Sequence, residues 1–101
     1  MRALFYPDFG VDGVVGDRPT PEAGEGQVLV KVKAAAINAM DPILASGAFK
    51  DFMEHRLPLT PGSDYAGTVV AVGPGVSGIA IGDEVFGDVG KMYAGEGSLA
   101  E

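Results

Sequence analysis

Gln27-Val28-Leu29-Val30-Lys31-Val32-Lys33-Ala34-Ala35-Ala36 is the stretch that decides the fold. Val28, Val30 and Val32 alternate with Leu29, Lys31 and Lys33, the period of two expected of a half-buried strand. The three alanines that follow carry no bulk, which predicts that something packs closely against them. Downstream, Asp41 reads as an N-cap and Pro42 as the first residue of a short helix. Ile43 and Leu44 give that helix an apolar face, and Gly47 is its C′ residue. Residues 48–60 are mixed and read as irregular or partly helical, with Phe49, Phe52 and Met53 turned inward. Pro61-Gly62 makes a turn into a second strand from Tyr65 to Val72, rich in β-formers at Thr68, Val69, Val70 and Val72. A turn at Gly82-Asp83 leads to a further short strand ending near Phe86, then a loop from Gly87 to Gly97. An apolar segment starts at Ser98-Leu99-Ala100-Glu101. Upstream, Arg2 to Tyr6 is β-prone and stopped by Pro7, as in an edge strand. Asp8 to Gly26 is rich in glycine, proline and acidic residues, and Arg18 to Gly26 reads as a surface connection ending in a turn.

The totals fit this picture. A chain of 101 residues is one domain by length, and 47% hydrophobic residues mark it as folded. Its 16 glycines and 7 prolines favour short strands and turns over long helices. Seven basic against fourteen acidic residues give a net charge of −7, the wrong sign for a nucleic-acid binder. The absence of cysteine removes disulfides, thiol catalysis and thiolate-bound zinc, and it fits a reducing compartment. No signal-peptide pattern opens the chain, and the longest uncharged stretch, Tyr65 to Gly82, is broken by glycines and Pro74. A cytoplasmic protein with no membrane partner is the resulting expectation.

Gly73-Pro74-Gly75-Val76-Ser77-Gly78 satisfies the dinucleotide pattern G-x-G-x-x-G. That motif works only where a helix opens from the glycines and its N-terminus holds the pyrophosphate. Here Ile79 to Phe86 follows, which is β and turn, so these glycines are read as a tight turn and not as a phosphate site.

Taken together, several blocks resemble a family. Gly26 to Asn38 looks like the first long strand of medium-chain dehydrogenases and reductases. Pro61-Gly62-Ser63-Asp64-Tyr65-Ala66-Gly67 and the strand after it resemble the family's next block. Gly82-Asp83-Glu84-Val85-Phe86-Gly87 resembles its Gly-Asp-x-Val turn, and Gly97 to Glu101 the start of its next strand. The resemblance implies a mainly β fold: a GroES-like, partly open β-barrel with one short helix, forming the substrate-side domain over residues 1–101 and incomplete at its C-terminal end. It also implies a second, dinucleotide-binding Rossmann domain that this sequence does not contain, so the isolated chain is expected to be inactive.

Within that family, zinc alcohol dehydrogenases carry a metal-binding Cys after the first long strand and a His-Glu pair in the Pro-Gly block. Here Asn38 and Ser63-Asp64 stand at those places, a poor donor set for zinc, which prefers thiolate and imidazole. The only histidine, His55, lies in the variable stretch beside Arg56 and reads as a surface residue. The resemblance is therefore to the zinc-free quinone and enoyl reductase branch. It implies NADPH as cofactor, no metal, and hydride transfer to a quinone or an activated, α,β-unsaturated carbonyl. It further implies a small-molecule substrate and a homodimer at full length.

Five kinds of position stand out for that chemistry. Asn38 matches an Asn near nicotinamide and substrate in zinc-free members; its amide can polarise a carbonyl, or simply bond backbone ahead of the helix. Asp41 matches an Asp of this branch, although an N-cap role explains it well and is the preferred reading. Tyr65 can donate a proton or pack at the start of its strand. Ser63 and Asp64 occupy the former metal block and are candidates for lining the substrate cleft. Ile43 and Phe49 stand where many quinone reductases place tyrosines, which implies a more apolar cleft. Two other readings stay open: a co-chaperonin-like binding module of the same fold, and a non-catalytic remnant of a reductase.

Overall fold

A computed structural model describes residues 1–89 and 93–101, with seven strands and one helix. In chain order they are β1 (Arg2–Phe5), β2 (Val14–Asp17), β3 (Val28–Ala35), α1 (Met40–Ser46), β4 (Glu54–Thr60), β5 (Asp64–Val72), β6 (Glu84–Asp88) and β7 (Tyr93–Glu96). They form three separate sheets, β1-β2, β3-β5-β6 and β4-β7, which curve around one small core without closing into a barrel.

The predicted long strand is β3, and it pairs antiparallel with β5: Val28 opposite Val72, Val30 opposite Val69, Val32 opposite Gly67. Small residues let these strands approach. A Cβ on Gly67 would run into the Lys31 carbonyl, so only glycine fits there. Between Val32 and Ala34 the register shifts by a bulge, which spends Lys33 and lets the strand turn toward the helix. β6 extends β5 on its far side, with Asp64 opposite Asp88, Ala66 opposite Phe86 and Thr68 opposite Glu84. Val69 is buried on the other face of β5, and Leu59 of β4, Ala3 of β1 and Ala45 of the helix are the other buried apolar residues among those described.

Several expectations change. The expected edge strand β1 is held on both sides: β2 pairs with one side, while Leu99, Glu101 and Leu59 exchange backbone bonds with Leu4, Arg2 and Tyr6 on the other. Ahead of the connection over residues 18–26, which holds no strand, Val14–Asp17 forms an unexpected strand, β2; two valines between glycines are too short a run to read. Residues 54–60 are a strand, β4, paired in parallel with β7, a long-range pairing that leaves no local signature. Part of the expected loop from Gly87 to Gly97 is also strand, β7, and its residues 90–92 lie outside the described residues. Phe52 was expected inside but is 81% exposed. Ala34, Ala35 and Ala36 are exposed instead of closely packed.

His55 was expected at the surface and is half-buried on β4. Its Nδ1 lies 2.9 Å from the Met53 carbonyl. A carbonyl only accepts, so Nδ1 carries the proton in that bond. The ring meets Phe9 edge-on at 5.5 Å, and its Nε2 is buried without a hydrogen-bond partner. The glycine-rich turn behaves as read: Gly75 and Gly78 have φ of 81° and 82°, and no helix follows them. Among the described residues no helix is long and apolar enough to cross a membrane.

Candidate active site

The helix entry is built differently from the expected Asp41 cap. α1 begins at Met40, its N-cap residue Ala39 has helical dihedrals, and no side chain caps it. Asp41 instead sits inside the first turn and reaches backward. Its Oδ2 accepts from the backbone N–H of Asn38 at 2.8 Å, while its own N–H donates to the Asn38 carbonyl at 3.0 Å. This is the acidic half of a capping box, an internal carboxylate satisfying an orphan amide ahead of the helix. At the far end Gly47 closes the helix as expected, with φ 85° and its N–H donating to the Leu44 carbonyl.

The second Asp41 oxygen does long-range work. Oδ1 accepts from the Gly62 N–H at 3.1 Å, joining the helix entry to the turn before β5. Asp41 is only 4% exposed, and both its oxygens are engaged by backbone amides. Gly62 has φ 106°, and a Cβ there would lie 2.5 Å from Ser98 Oγ and 2.9 Å from the Leu99 nitrogen. Ser98, itself buried, donates from its hydroxyl to the Asp64 carbonyl at 2.8 Å. Ser63 is held by its backbone, whose carbonyl accepts from Val89 at 2.8 Å. The start of β5 is thus fixed from the helix, from the C-terminal segment and from β6.

This anchoring brings Asn38 and Asp64 together. The Asn38 Nδ2 donates to Asp64 Oδ2 at 3.0 Å, in an exposed bond spanning 26 residues of chain. A carboxylate only accepts, so the contact fixes which end of the amide faces Asp64 and leaves Oδ1 and one N–H for other partners. Ile37 beside it is 74% exposed, and Ile43 on α1 is also exposed. Phe49 follows the helix, half-buried, with its ring 5.8 Å from that of Phe52 at 62°. Ile37, Ile43 and Phe52 thus leave apolar side chains exposed in the chain segment that follows and includes the helix entry.

Tyr65 is not part of this cluster. It follows Asp64 on β5, so the pleat carries its side chain to the other face. There it lies over Gly87, its cross-strand neighbour, with the hydroxyl 3.4 Å from where a Cβ on Gly87 would be. Gly62 and Ser98 are the contributors that reading the sequence missed as site residues. A glycine after proline signals only a turn, and nothing local marks a serine that bonds a carbonyl 34 positions away. Among the described residues no group of three or more His, Cys, Asp or Glu side chains could hold a metal ion.

The fold and this site place the chain among known proteins. Residues 24–100 match the alcohol dehydrogenase GroES-like domain, and the chain belongs to that family. It is 43% identical over 108 residues to the NADPH-dependent alkenal/one oxidoreductase, chloroplastic, of Arabidopsis thaliana, covering 100% of this chain and 28% of that protein. It is 36% identical over 105 residues to the quinone-oxidoreductase QR1, chloroplastic, of Triphysaria versicolor, covering 100% of this chain and 31% of that one. The structure of the Escherichia coli quinone oxidoreductase complexed with NADPH superposes with a TM-score of 0.74 at 27% identity, over 85% of this chain and 26% of that one. The chain thus spans about a third or less of the length of the relatives it matches.

Proposed function

We propose that this chain is the substrate-side domain of an NADPH-dependent reductase that delivers hydride to a quinone or an α,β-unsaturated carbonyl. The observation that carries the reading is the Asn38–Asp64 bond, at the positions to which the family resemblance assigns the metal ligands of zinc alcohol dehydrogenases. Supporting it are the activities named for the Arabidopsis and Triphysaria relatives and the NADPH in the bacterial structure.

NADPH, when bound, supplies the hydride. These residues offer no pyrophosphate cradle, because the Gly73–Gly78 turn opens no helix; their fit is to the reacting end of the cofactor alone. Asn38 is the catalytic residue in this reading. Its remaining N–H is available to the substrate carbonyl, where negative charge builds as hydride arrives, and its Oδ1 can accept from an amide such as that of nicotinamide. Asp64 is a positioning residue that keeps the carboxamide from flipping. Asp41 is a second positioning residue, holding the Asn38 backbone and Gly62 in place. Ser63, Ile43 and Phe49 line the substrate cleft in this reading. Tyr65 acts by packing. The donor set of Asn38, Ser63 and Asp64 supports a metal-free site. The cysteine-free composition supports the cytoplasm, with the plastid named for two relatives as the competing compartment.

The test is a chimera in which these 101 residues replace the matching segment of the Arabidopsis enzyme. NADPH oxidation driven by an enone or a quinone is expected. A folded chimera that binds NADPH yet reduces neither acceptor would overturn the reading.

A further inference from the structure

The face of β5 that carries Asp64 also carries an aromatic side chain that neither the core nor the Asn38 cluster uses. Phe86, in the middle of β6, is 86% exposed. The β5–β6 register is unbroken, with Asp64 opposite Asp88 and Ala66 opposite Phe86, so Phe86, Ala66 and Asp64 share one face. Phe86 is the diagonal neighbour of Asp64, a spacing of roughly 7–8 Å between strand positions and within reach of an aromatic ring. Across the sheet its row continues through Ala66 to Ala34. Two alanines beside a phenylalanine leave an apolar shelf, and an open surface depression beside it is lined by Lys33, Ala66, Gly67, Glu84, Val85 and Phe86. Glu84 and Asp88 flank the ring on the same strand face.

We infer that Phe86 and the Ala66–Ala34 shelf form the subsite for the planar, conjugated part of the substrate, and that Phe86 determines preference for aromatic or quinonoid acceptors over small aliphatic enones. The inference rests on the proposed reductase reading and adds a specificity residue to it. A planar ring stacked on Phe86 lies beside Asp64, so its carbonyl can reach the Asn38 amide that Asp64 holds. The two flanking carboxylates disfavour anionic ligands, which fits a neutral carbonyl compound.

Two measurements separate this inference from the reading beneath it. In the 101-residue chain, titration with tetramethyl-1,4-benzoquinone is followed by NMR at the Phe86 ring and the Asn38 side-chain amide. Both signals are expected to move in the unaltered chain, and the Asn38 amide signal is expected to stay still in Phe86→Ala and to move again in Phe86→Tyr. In the chimera, Phe86→Ala is expected to raise KM for the quinone about tenfold with kcat nearly unchanged, while KM for but-3-en-2-one changes less than about twofold. Unmoved Phe86 signals, or equal KM changes for both acceptors, overturn the subsite even where the chimera turns over. A chimera inactive with every acceptor sinks the reductase reading, and the substrate subsite with it, whatever the quinone does to the NMR signals.

Discussion

Asn38 and Asp64, 26 residues apart, meet side chain to side chain at 3.0 Å because a third residue, Asp41, ties the backbone on both sides of the contact. The polar centre of this domain is therefore a small construction of two carboxylates with different tasks. Asp41 is buried and binds only backbone, whereas Asp64 is half-exposed and orients a side chain.

Replacing Asp64 tests the orienting task. Asp64→Ala frees the Asn38 amide to rotate while the backbone anchors stay. In the chimera kcat is expected to fall about tenfold or more, with thermal stability little changed, as for loss of a group that acts in the transition state. A drop in stability with unchanged kcat would make the contact purely structural. Asp64→Asn, which still accepts through one oxygen, should recover part of the rate.

Asp41→Ala tests the anchoring task. It leaves the Asn38 and Gly62 amides without their acceptor in a buried place. Urea denaturation of the chain is expected to show a loss of about 2–4 kcal/mol, the cost of two bonds to a charged group and the amides left behind. Asp41→Asn keeps one accepting oxygen and should lose roughly half as much.

Two glycines on the central sheet should answer differently to alanine. Gly67→Ala drives a Cβ into the Lys31 carbonyl, and backbone cannot step aside, so a loss of about 2–3 kcal/mol is expected by denaturant titration. Gly87→Ala meets only the Tyr65 ring at ordinary contact distance, 3.4 Å or more. It should cost less than about 0.5 kcal/mol.

Cofactor and metal are expected to separate from this chain alone. Calorimetric titration of the 101 residues with NADPH should give no binding tighter than millimolar, since no helix opens at a glycine-rich turn to hold the pyrophosphate. After dialysis against zinc, elemental analysis should find far less than one equivalent retained. Stoichiometric zinc would contradict the donor chemistry of Asn38, Ser63 and Asp64.

Much of this was legible in the residues. The alternation of Val28, Val30 and Val32, the β-formers of Tyr65 to Val72, the helix stop at Gly47 and the harmless turn at Gly73–Gly78 all rest on local periodicity or glycine dihedrals. Asn38, Asp41 and Asp64 were also visible as unusual polar residues in the blocks that carry the family resemblance. The misreadings share a cause. β2 is four residues long, β4 pairs in parallel with a distant strand, and β1 gains its second neighbour from the other end of the chain. Such contacts are non-local and leave no pattern in the segment itself.

Sequence alone determined the mainly β class of fold, the identity of its two main strands and the absence of any cysteine chemistry, because these follow from composition and period. Only the tertiary structure decided that Asp41 braces backbone at two places, that Asp64 rather than Tyr65 faces Asn38, and that Phe86 stands uncovered on the same face. The first depends on how the helix entry meets the turn before β5; the other two depend on strand register and on which side of the pleat a residue falls, and a shift of one position in pairing would have reversed both.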